Sequence, residues 1–421
     1  MSKFKNPLKV AIIGGGPGGL SAARFCQDKG WQATVFERRS RVGGKSYSMI
    51  DGDAFFEMGT CYATRADRQV NAWMKETGIS LTRLGEARFD GANIVDYVKS
   101  GGGGSLTAQL AAFVLKSRPL RRALKTGDDR QEILDELSIS TLDWVRKAKL
   151  PKIEKALHRV QTTNGYGYLD RTSIGQTLRW CSLDLILSGA LNQVHMPDES
   201  WSEFWRRFAV GLDVRLGEEV VGIERRDDDV VIHTHGAEQL FDTVINTAPM
   251  QVFCEIADAT SEELFIRNAV EWQNYTTSLF SSKNWFSGYK ICGFSYGLVD
   301  SSRVGALIGA RYECDDSELG GHLYVSGQFS KDLTQPELAE ILRSDAKRHG
   351  FDIQSIIHQE TWEFFPQIRQ EAVKSGVFNV MSKMQGKQRT WHGGSTFSHE
   401  LVSSVVMQSD FLVKAIAKAH S

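Results

Sequence analysis

Five glycines and one proline lie together near the start of the sequence. An apolar segment, 9–13, precedes this run of GGGPGG, and a segment with helical spacing follows it. Gly14 permits a tight turn, Gly16 lets the backbone approach a phosphate, and Gly19 lets helix and strand pack closely. The first turn of the helix also leaves unpaired N–H groups for negative charge. The pattern predicts a pyrophosphate site with contacts from Gly14, Gly16, Pro17, Gly18 and Gly19.

A carboxylate follows the second predicted strand. Residues 32–36 form an apolar segment that ends at Glu37. In a dinucleotide-binding βαβ unit, an acid at this point accepts hydrogen bonds from the adenosine ribose and disfavours a 2′-phosphate. Strand, glycine turn, helix, second strand and terminal acid together predict that the chain binds a dinucleotide.

A second glycine turn, flanked by cations, follows Glu37 directly. The sequence over 38–45 is RRSRVGGK, which is not usual in nicotinamide dehydrogenases. The stretch 10–59 resembles the amino-terminal region of the flavin amine oxidase superfamily, whose ERxxRxGG element stands here at 37–44. That resemblance implies FAD as the cofactor. It implies contacts from Arg38, Arg41, Gly43, Gly44, Lys45 and, near the flavin ring, Gly59.

Later segments resemble the parts of this superfamily that return to the cofactor. In 217–221, Val220 matches a valine whose backbone pairs with adenine. A helix is expected from about residue 402, with its N-terminus stabilising negative charge on the flavin. No Cys or His lies in a motif for covalent attachment, so non-covalent FAD is expected. The resemblance adds Gly394, Ser395, Ser404 and Val405 to the implied contacts, although the family more often has Glu in place of Ser395.

The composition describes an ordered protein with no electrostatic preference for nucleic acid. Lys and Arg number 50 against 51 Asp and Glu, so a nucleic-acid partner is not expected. No apolar run reaches the ~18 residues of a membrane helix, and 10–13 is too short for a signal peptide, so the cytoplasm is the expected compartment. The six Cys and ten His show no zinc-ligand spacing, and no metal is expected.

The elements that position these residues divide into two regions. At 421 residues the chain is long enough for two domains. An α/β fold is predicted, with a discontinuous Rossmann-like FAD-binding domain of the GR2 type that contains a β-meander. The flavin is expected between this domain and a substrate domain. The FAD-binding domain comprises 1–85, 205–260 and 385–421, and the substrate domain comprises a helical insertion, 86–204, and a β-rich part with a mixed sheet, 261–384.

A basic run, 116–125, lies within the predicted helical insertion. It contains Lys116, Arg118, Arg121, Arg122 and Lys125. A solvated helix face is the ordinary interpretation. A weak contact with a membrane surface is the alternative, and it would suit a lipid substrate.

Over most of its length the sequence is similar to bacterial polyenoic fatty acid isomerases of this superfamily. This similarity implies a small, lipophilic, fatty-acyl substrate. It implies that Arg88 holds the substrate carboxylate, with Arg83 as the competing candidate. The similarity lies in 42–45, 57–59, 165–168, 361–366 and 384–387.

The same similarity concerns the walls of the substrate site. Gly189 stands where these isomerases place an aromatic gate, which predicts a wider or reshaped entrance. A substrate that loses hydride becomes a delocalised cation, which aromatic faces stabilise and which must be shielded from water. The candidates for that lining are Tyr166, Tyr168, Trp362 and Phe365.

The predicted reaction is the transfer of hydride from an activated C–H carbon to flavin N5, giving double-bond isomerisation or dehydrogenation. The alternative is an O₂-dependent flavin amine oxidase that acts on a biosynthetic intermediate. Against it, strand 276–280 has no match for the lysine that commonly joins flavin N5 through water in that group. A minor alternative is a non-catalytic module that binds a lipidated partner, but the cofactor glycines and Glu37 are intact. An FAD-dependent oxidoreductase or isomerase is therefore expected.

Overall fold

A five-stranded parallel sheet joins distant parts of the chain in the computed structural model, which describes residues 7–316 and 320–420. Every neighbouring pair of strands is parallel. The central strands are apolar and mostly buried, as a sheet covered on both faces requires. In spatial order the strands are Thr390–His392, Thr243–Asn246, Lys9–Ile13, Gln32–Glu37 and Asp213–Leu216.

Different elements cover the two faces of this sheet. On one face, the helices Pro17–Asp28 and Val402–Ala419 pack together and onto the sheet through a cluster that includes Val10, Ala22 and Leu412. The other face packs against an antiparallel meander. These features confirm the predicted α/β fold with a Rossmann-like domain. The strands of the meander are Val220–Arg225, Val230–Thr234 and Glu238–Phe241.

A mixed seven-stranded sheet forms the second region. Its neighbouring strands are antiparallel except where Ile291–Gly293 runs parallel to Ala87–Phe89. The helix Gln335–Arg348 covers it through a cluster that includes Tyr324 and Leu342. In spatial order the strands are Ile353–Trp362, Tyr275–Ser282, Gly321–Phe329, Gly309–Asp316, Ile291–Gly293, Ala87–Phe89 and Ala92–Asn93.

A group of helices between residues 94 and 190 packs beside the mixed sheet. Several begin at a serine whose hydroxyl accepts a hydrogen bond from an N–H in the first helical turn, as Ser105, Ser140 and Ser173 do. The predicted helical insertion is therefore present, although two strands of the sheet precede it. These helices are Ile94–Lys99, Leu106–Thr126, Gln131–Ser138, Thr141–Lys147, Pro151–Val160, Ile174–Trp180 and Leu183–Ala190.

The helix Trp201–Phe208 crosses the predicted domain limit between 204 and 205. Its apolar face packs against the helix Arg68–Glu76 through Trp73, Phe204 and Phe208. This cluster also contains residues of the two helices that cover the parallel sheet. We therefore propose the same three-segment division, with the second cofactor segment beginning near residue 200.

The remaining elements are short. Within the described part of the chain, no helix has both the length and the apolar character that a membrane span needs. The paired strands are Ser48–Asp51 with Ala54–Glu57, Leu81–Arg83 with His195–Pro197, and Val270–Trp272 with Pro366–Ile368; the helices are Met250–Ile256, Ser261–Ala269, Ser295–Leu298, Gln370–Lys374, Val377–Lys383 and Gly394–Phe397, with 3₁₀ turns at Thr162–Asn164 and Lys387–Arg389.

Candidate active site

A cavity of about 1630 Å³ lies at the carboxyl ends of the parallel strands, where ligands of open α/β sheets bind; we call it the cofactor cavity. Its walls include the first glycine turn, Glu37, Val220, the turn 247–249 and the segment 394–395. These segments are distant in sequence and meet only in the folded chain. A cavity that extends from the first glycine turn to the segment 394–395 along this edge suits an extended dinucleotide.

Two glycines of the first turn are required by the backbone around them. Gly14 has φ +100°, and a Cβ there would lie 2.9 Å from Thr247 Oγ1. A Cβ at Gly19 would lie 1.9 Å from the Gly14 carbonyl oxygen, which is too close for any side chain. Gly14 therefore shapes the turn, and Gly19 brings the helix against the strand.

Backbone donors hold the Glu37 carboxylate. The Gly15 N–H donates to Oε2 at 2.7 Å, and the Arg39 N–H donates to Oε1 at 2.8 Å. The side chain is buried and lines the cofactor cavity. Each carboxylate oxygen keeps a further lone pair, so Glu37 can orient the glycine turn and still accept hydrogen bonds from a ribose.

Two helix N-termini that lack a side-chain cap face the cofactor cavity. Gly16 precedes the helix Pro17–Asp28 and Leu401 precedes Val402–Ala419, and neither makes a side-chain capping hydrogen bond. Neither first turn carries an acidic residue. Because the helix dipole and the unpaired N–H groups favour negative charge, the first N-terminus suits a pyrophosphate and the second suits the charge that reduction places on a flavin. The residues present therefore fit FAD.

Most residues that the family resemblance implies as cofactor contacts line this cavity. Arg39 also lines the cavity, although no contact was predicted for this residue of the basic turn. The guanidinium carbon of Arg39 lies 5.8 Å from the centre of the Trp362 ring. The implied contacts found in the lining are Gly14, Gly16, Pro17, Gly18, Glu37, Arg38, Gly44, Lys45, Val220, Gly394, Ser395 and Val405.

The other implied contacts lie outside the lining of the cofactor cavity. Gly19 and Gly43 lie behind the two glycine turns, and the Gly43 N–H donates to a carbonyl of the first turn at 2.9 Å. Arg41 donates to a backbone carbonyl of its own turn at 3.0 Å. Ser404 is half-buried in the first turn of its helix, and Gly59 lines a second cavity. Backbone shape, more than direct contact, accounts for the glycines among them.

The second cavity, of about 1180 Å³, adjoins the first; we call it the substrate cavity. Thr60, Phe364, Glu400 and Val402 line both cavities. A flavin ring that reaches this shared wall is therefore exposed to the substrate cavity. The rest of the lining is mainly apolar and comes from the helical layer and the mixed sheet, with Val160, Leu185, Val194, Ile291 and Val325 among its members.

Ion pairs border the substrate cavity. Lys45 Nζ donates to Glu400 Oε1 at 2.6 Å, and Arg311 Nε donates to Glu313 Oε1 at 2.6 Å. Arg311 is buried and 9% of the Glu313 side chain is exposed, and Arg311 also donates to the Glu57 carbonyl oxygen at 3.2 Å. The carboxylate on the shared wall and the arginine on the opposite sheet therefore both have a counter-ion.

Burial keeps the thiol and the phenols of the substrate cavity neutral. Burial raises the pKa of the Cys61 thiol and of the Tyr62, Tyr166 and Tyr275 phenols. Its lining, taken over the described residues, contains no histidine or lysine. The cavity is thus better suited to moving a hydride than to moving a proton through a free base.

The aromatic residues that were predicted to line the substrate site do not all lie in one cavity. Tyr166 lines the substrate cavity and stacks on Phe364, with ring centres 5.8 Å apart. Tyr168 is buried in the core against Phe329, with ring centres 4.6 Å apart, and lines neither cavity. Only Tyr166 of this pair is positioned to face a substrate.

The segment 361–366 lines mainly the cofactor cavity, whereas its aromatic residues were predicted to line the substrate site. Trp362 lines the cofactor cavity, and its indole N–H donates to the Met58 carbonyl oxygen at 2.7 Å. Phe365 lines neither cavity and is fully buried against His399. Phe364, between them, is the residue of this segment that reaches the substrate cavity.

Arg88 lies at the surface and not in the substrate cavity, so the predicted anchor is corrected. Successive side chains of Ala87–Phe89 point to opposite faces, and Arg88 takes the outer face. Its Nε donates to Glu86 Oε1 at 2.9 Å, and 42% of its side chain is exposed. Arg83 is exposed as well and lines neither cavity.

Gly189 lines the substrate cavity, but the structure gives it a packing role. A Cβ at this position would lie 2.1 Å from Val160 Cγ1. Glycine therefore allows the helices Leu183–Ala190 and Pro151–Val160 to pack closely. The expected wider entrance is replaced by a close helix contact.

Several lining residues of the substrate cavity were absent from the sequence analysis. Phe364 lies in the segment 361–366, where other residues were predicted, and Tyr275 directly precedes the segment 276–280. Arg159, Tyr62 and Arg311 carried no local signal, because their roles depend on contacts between distant segments.

The sequence profile of flavin-containing amine oxidoreductases matches residues 17–264, more than half of the chain. The chain belongs to this family, and its cofactor is FAD. The flavin-containing amine oxidase of Oncorhynchus mykiss is 31% identical over 96 residues, which are 23% of this chain and 18% of that enzyme. The match thus spans less than a fifth of the length of this curated relative.

Solved structures resemble the chain over nearly all of its length. The CLA-producing fatty acid isomerase from P. acnes superposes with a TM-score of 0.83 at 22% identity, covering 98% of this chain and 99% of that chain. Putrescine oxidase bound to putrescine superposes with a TM-score of 0.67 at 14% identity, covering 98% and 100%. These likenesses establish the two-domain flavoprotein fold.

Proposed function

We propose that this chain is an FAD-dependent oxidoreductase in which an activated C–H carbon of a lipophilic, fatty-acyl substrate gives a hydride to flavin N5. The outcome is double-bond isomerisation, in which the hydride returns to the product, or dehydrogenation, in which O₂ reoxidises the reduced flavin. The observation that carries the proposal is the wall of Thr60, Phe364, Glu400 and Val402 that the two cavities share. Bound FAD supplies the hydride acceptor, and the shared wall is where a substrate would meet it.

The lining of the substrate cavity supports hydride chemistry on an apolar molecule. Aliphatic side chains exclude water, and the stacked rings of Tyr166 and Phe364 offer aromatic faces to positive charge. Removal of hydride needs no general base, which agrees with the neutral phenols and thiol of the cavity. The fatty acid isomerase among the similar structures supports an acyl chain as the substrate.

A second candidate is the O₂-dependent oxidation of an amine. The family match and the similarity to putrescine oxidase favour it. The two candidates share the hydride step and differ in the substrate: an unsaturated acid gives a conjugated product, and an amine gives peroxide without one. They can therefore be separated by following product and peroxide together.

The test uses purified, flavin-loaded protein with a mixture of polyunsaturated fatty acids. Ultraviolet absorbance follows conjugated dienes, and a coupled assay follows peroxide. We expect conjugated product, without peroxide for isomerisation and with peroxide for dehydrogenation, and in both cases bleaching of the flavin on anaerobic mixing. Protein stripped of FAD is the control and should be inactive. Turnover of the acids with an unchanged flavin would overturn the hydride mechanism, and peroxide with amines alone would select the second candidate.

A further inference from the structure

Arg159 is a charged residue of the substrate cavity that has no counter-ion among the described residues. It lies near the end of the helix Pro151–Val160, and only 2% of its surface is exposed. No carboxylate of the described residues lies within 4.0 Å of its guanidinium. Its Nε and Nη2 are buried and have no hydrogen-bond partner. The guanidinium therefore has unused donors at the wall of a cavity.

Other arginines that are buried or half-buried have partners for their guanidinium groups. Arg311 pairs with Glu313, Arg121 donates to backbone carbonyl oxygens at 3.0 and 2.7 Å, and Arg179 donates to one at 2.5 Å. The guanidinium carbon of Arg159 lies 5.7 Å from the ring of Phe89, and no hydrogen-bond acceptor among the described residues satisfies its Nε or Nη2. Burial lowers the pKa of Arg159, which reflects the cost of an unpaired charge in apolar surroundings. An anion in the cavity would remove that cost.

We propose that Arg159 binds the carboxylate of the substrate, so that the substrate is a free acid held as its anion. The inference rests on the proposed function, because it names the head group of the same lipophilic molecule. A guanidinium binds a carboxylate through parallel N–H donors, whereas an ester or alcohol offers no charge and an ammonium group is repelled.

The place of Arg159 fits an acid with an apolar chain. It is not one of the four residues on the shared wall, so a head group there leaves the chain free to run toward the flavin. Val160 and Leu185 line the same cavity. Tyr62 is a neighbouring polar group: burial raises the pKa of its phenol, and the positive charges of Arg311 and Arg159 oppose that rise.

The experiment measures the binding of saturated probes that cannot be turned over. Decanoate, decanol and decylammonium, each below its micelle concentration, are titrated into the flavin-loaded protein and followed by calorimetry and by the flavin difference spectrum. We expect decanoate to bind best and decylammonium worst. Arg159→Met should weaken decanoate binding by about a hundredfold and leave decanol binding unchanged, because a buried charged partner is lost. Arg159→Lys should restore part of the affinity.

Arg88→Gln is the matched control, because it removes an arginine at the surface and should leave all three affinities unchanged. Decanoate binding that is equal in Arg159→Met and the wild type would overturn the proposal, as would tighter binding of decylammonium than of decanoate. If Arg159→Met does not fold with FAD, the proposal is still tested by the order of the affinities for the three probes, measured on the wild type and on the Arg159→Lys variant. Decanoate binding that needs Arg159, without flavin reduction by unsaturated acids, would refute the proposed function and leave the anchor standing.

Discussion

The cofactor cavity and the substrate cavity share a wall but are built in different ways. The first is formed by glycine turns, backbone N–H groups and helix N-termini at one edge of a parallel sheet. The second is formed by side chains from the helices Pro151–Val160 and Leu183–Ala190 and from the mixed sheet. Backbone shape thus selects the cofactor, and side-chain volume and charge select the substrate. Substitutions in the cofactor cavity should therefore change the binding of FAD, and substitutions in the substrate cavity should leave FAD bound.

The largest effect is expected from a buried ion pair beside the substrate cavity. Arg311→Met leaves Glu313 buried without its counter-ion, which should lower the free energy of unfolding by about 3–5 kcal/mol. Urea denaturation measures this, and FAD should remain bound before the transition. Arg226→Met is the control, because the Arg226–Glu224 pair is exposed, and it should give no measurable change. Loss of FAD with unchanged stability would contradict the division of roles between the cavities.

On the cofactor side, the Glu263 carboxylate joins the meander to the carboxyl-terminal strand. It accepts hydrogen bonds from Arg225 at 2.7 Å and His392 at 3.0 Å. Burial alone would raise its pKa, but the donors His392, Arg225 and the Thr260 N–H lower it to about 2 from an ordinary 4.5.

Because the pKa of Glu263 is lower in the folded protein, its contribution is present above pH 4.5 and is lost as the pH falls toward 2. Glu263→Gln should remove about 3 kcal/mol of stability at pH 7 and less at pH 3. Urea denaturation at both pH values checks this. Glu340→Gln, at an exposed acid, should change neither value. An equal loss of unfolding free energy in Glu263→Gln at both pH values would refute the lowered pKa of Glu263.

A smaller loss of stability, with loss of the flavin, is expected at Gly19. The Cβ of Gly19→Ala would meet the Gly14 carbonyl oxygen at 1.9 Å and push the helix away from the glycine turn. We expect about 1–3 kcal/mol of destabilisation and a reduced ratio of flavin to protein absorbance. Gly236→Ala is the control, because a Cβ there meets nothing within 4 Å, and it should leave the stability and the flavin-to-protein ratio unchanged. Full FAD content in Gly19→Ala would show that the cofactor cavity tolerates a displaced helix.

The smallest effect is a coupling between two residues of the substrate cavity. Gly189→Ala brings a Cβ against Val160, and shortening the second side chain by Val160→Ala should relieve the clash. A double-mutant cycle should give a coupling of about 1 kcal/mol in the free energy of unfolding. Additive effects of the two substitutions would instead favour the entrance role first predicted for Gly189.

The cofactor half of the molecule could be predicted from the sequence because its signals are local. The turn at 14–19 and the acid at 37 lie within one βαβ unit, and their spacing predicts both the fold and the cofactor. The substrate half was predicted less well. Arg88 has the right chemistry but lies on the outer face of its strand, and a strand of three residues is too short for an alternating pattern to reveal this. Arg159 and Tyr62 meet only through long-range packing, which spacing along the chain does not encode.

The shared wall has a consequence for how the protein is made. The edge strand Thr390–His392 and the helix Val402–Ala419 complete a sheet whose first strand is Lys9–Ile13. The nascent chain cannot close the cofactor cavity until residues near 405 have left the ribosome. Flavin capture therefore has to follow synthesis of the segment around residue 405, and a flavin-coloured molecule is one whose synthesis has already passed that point.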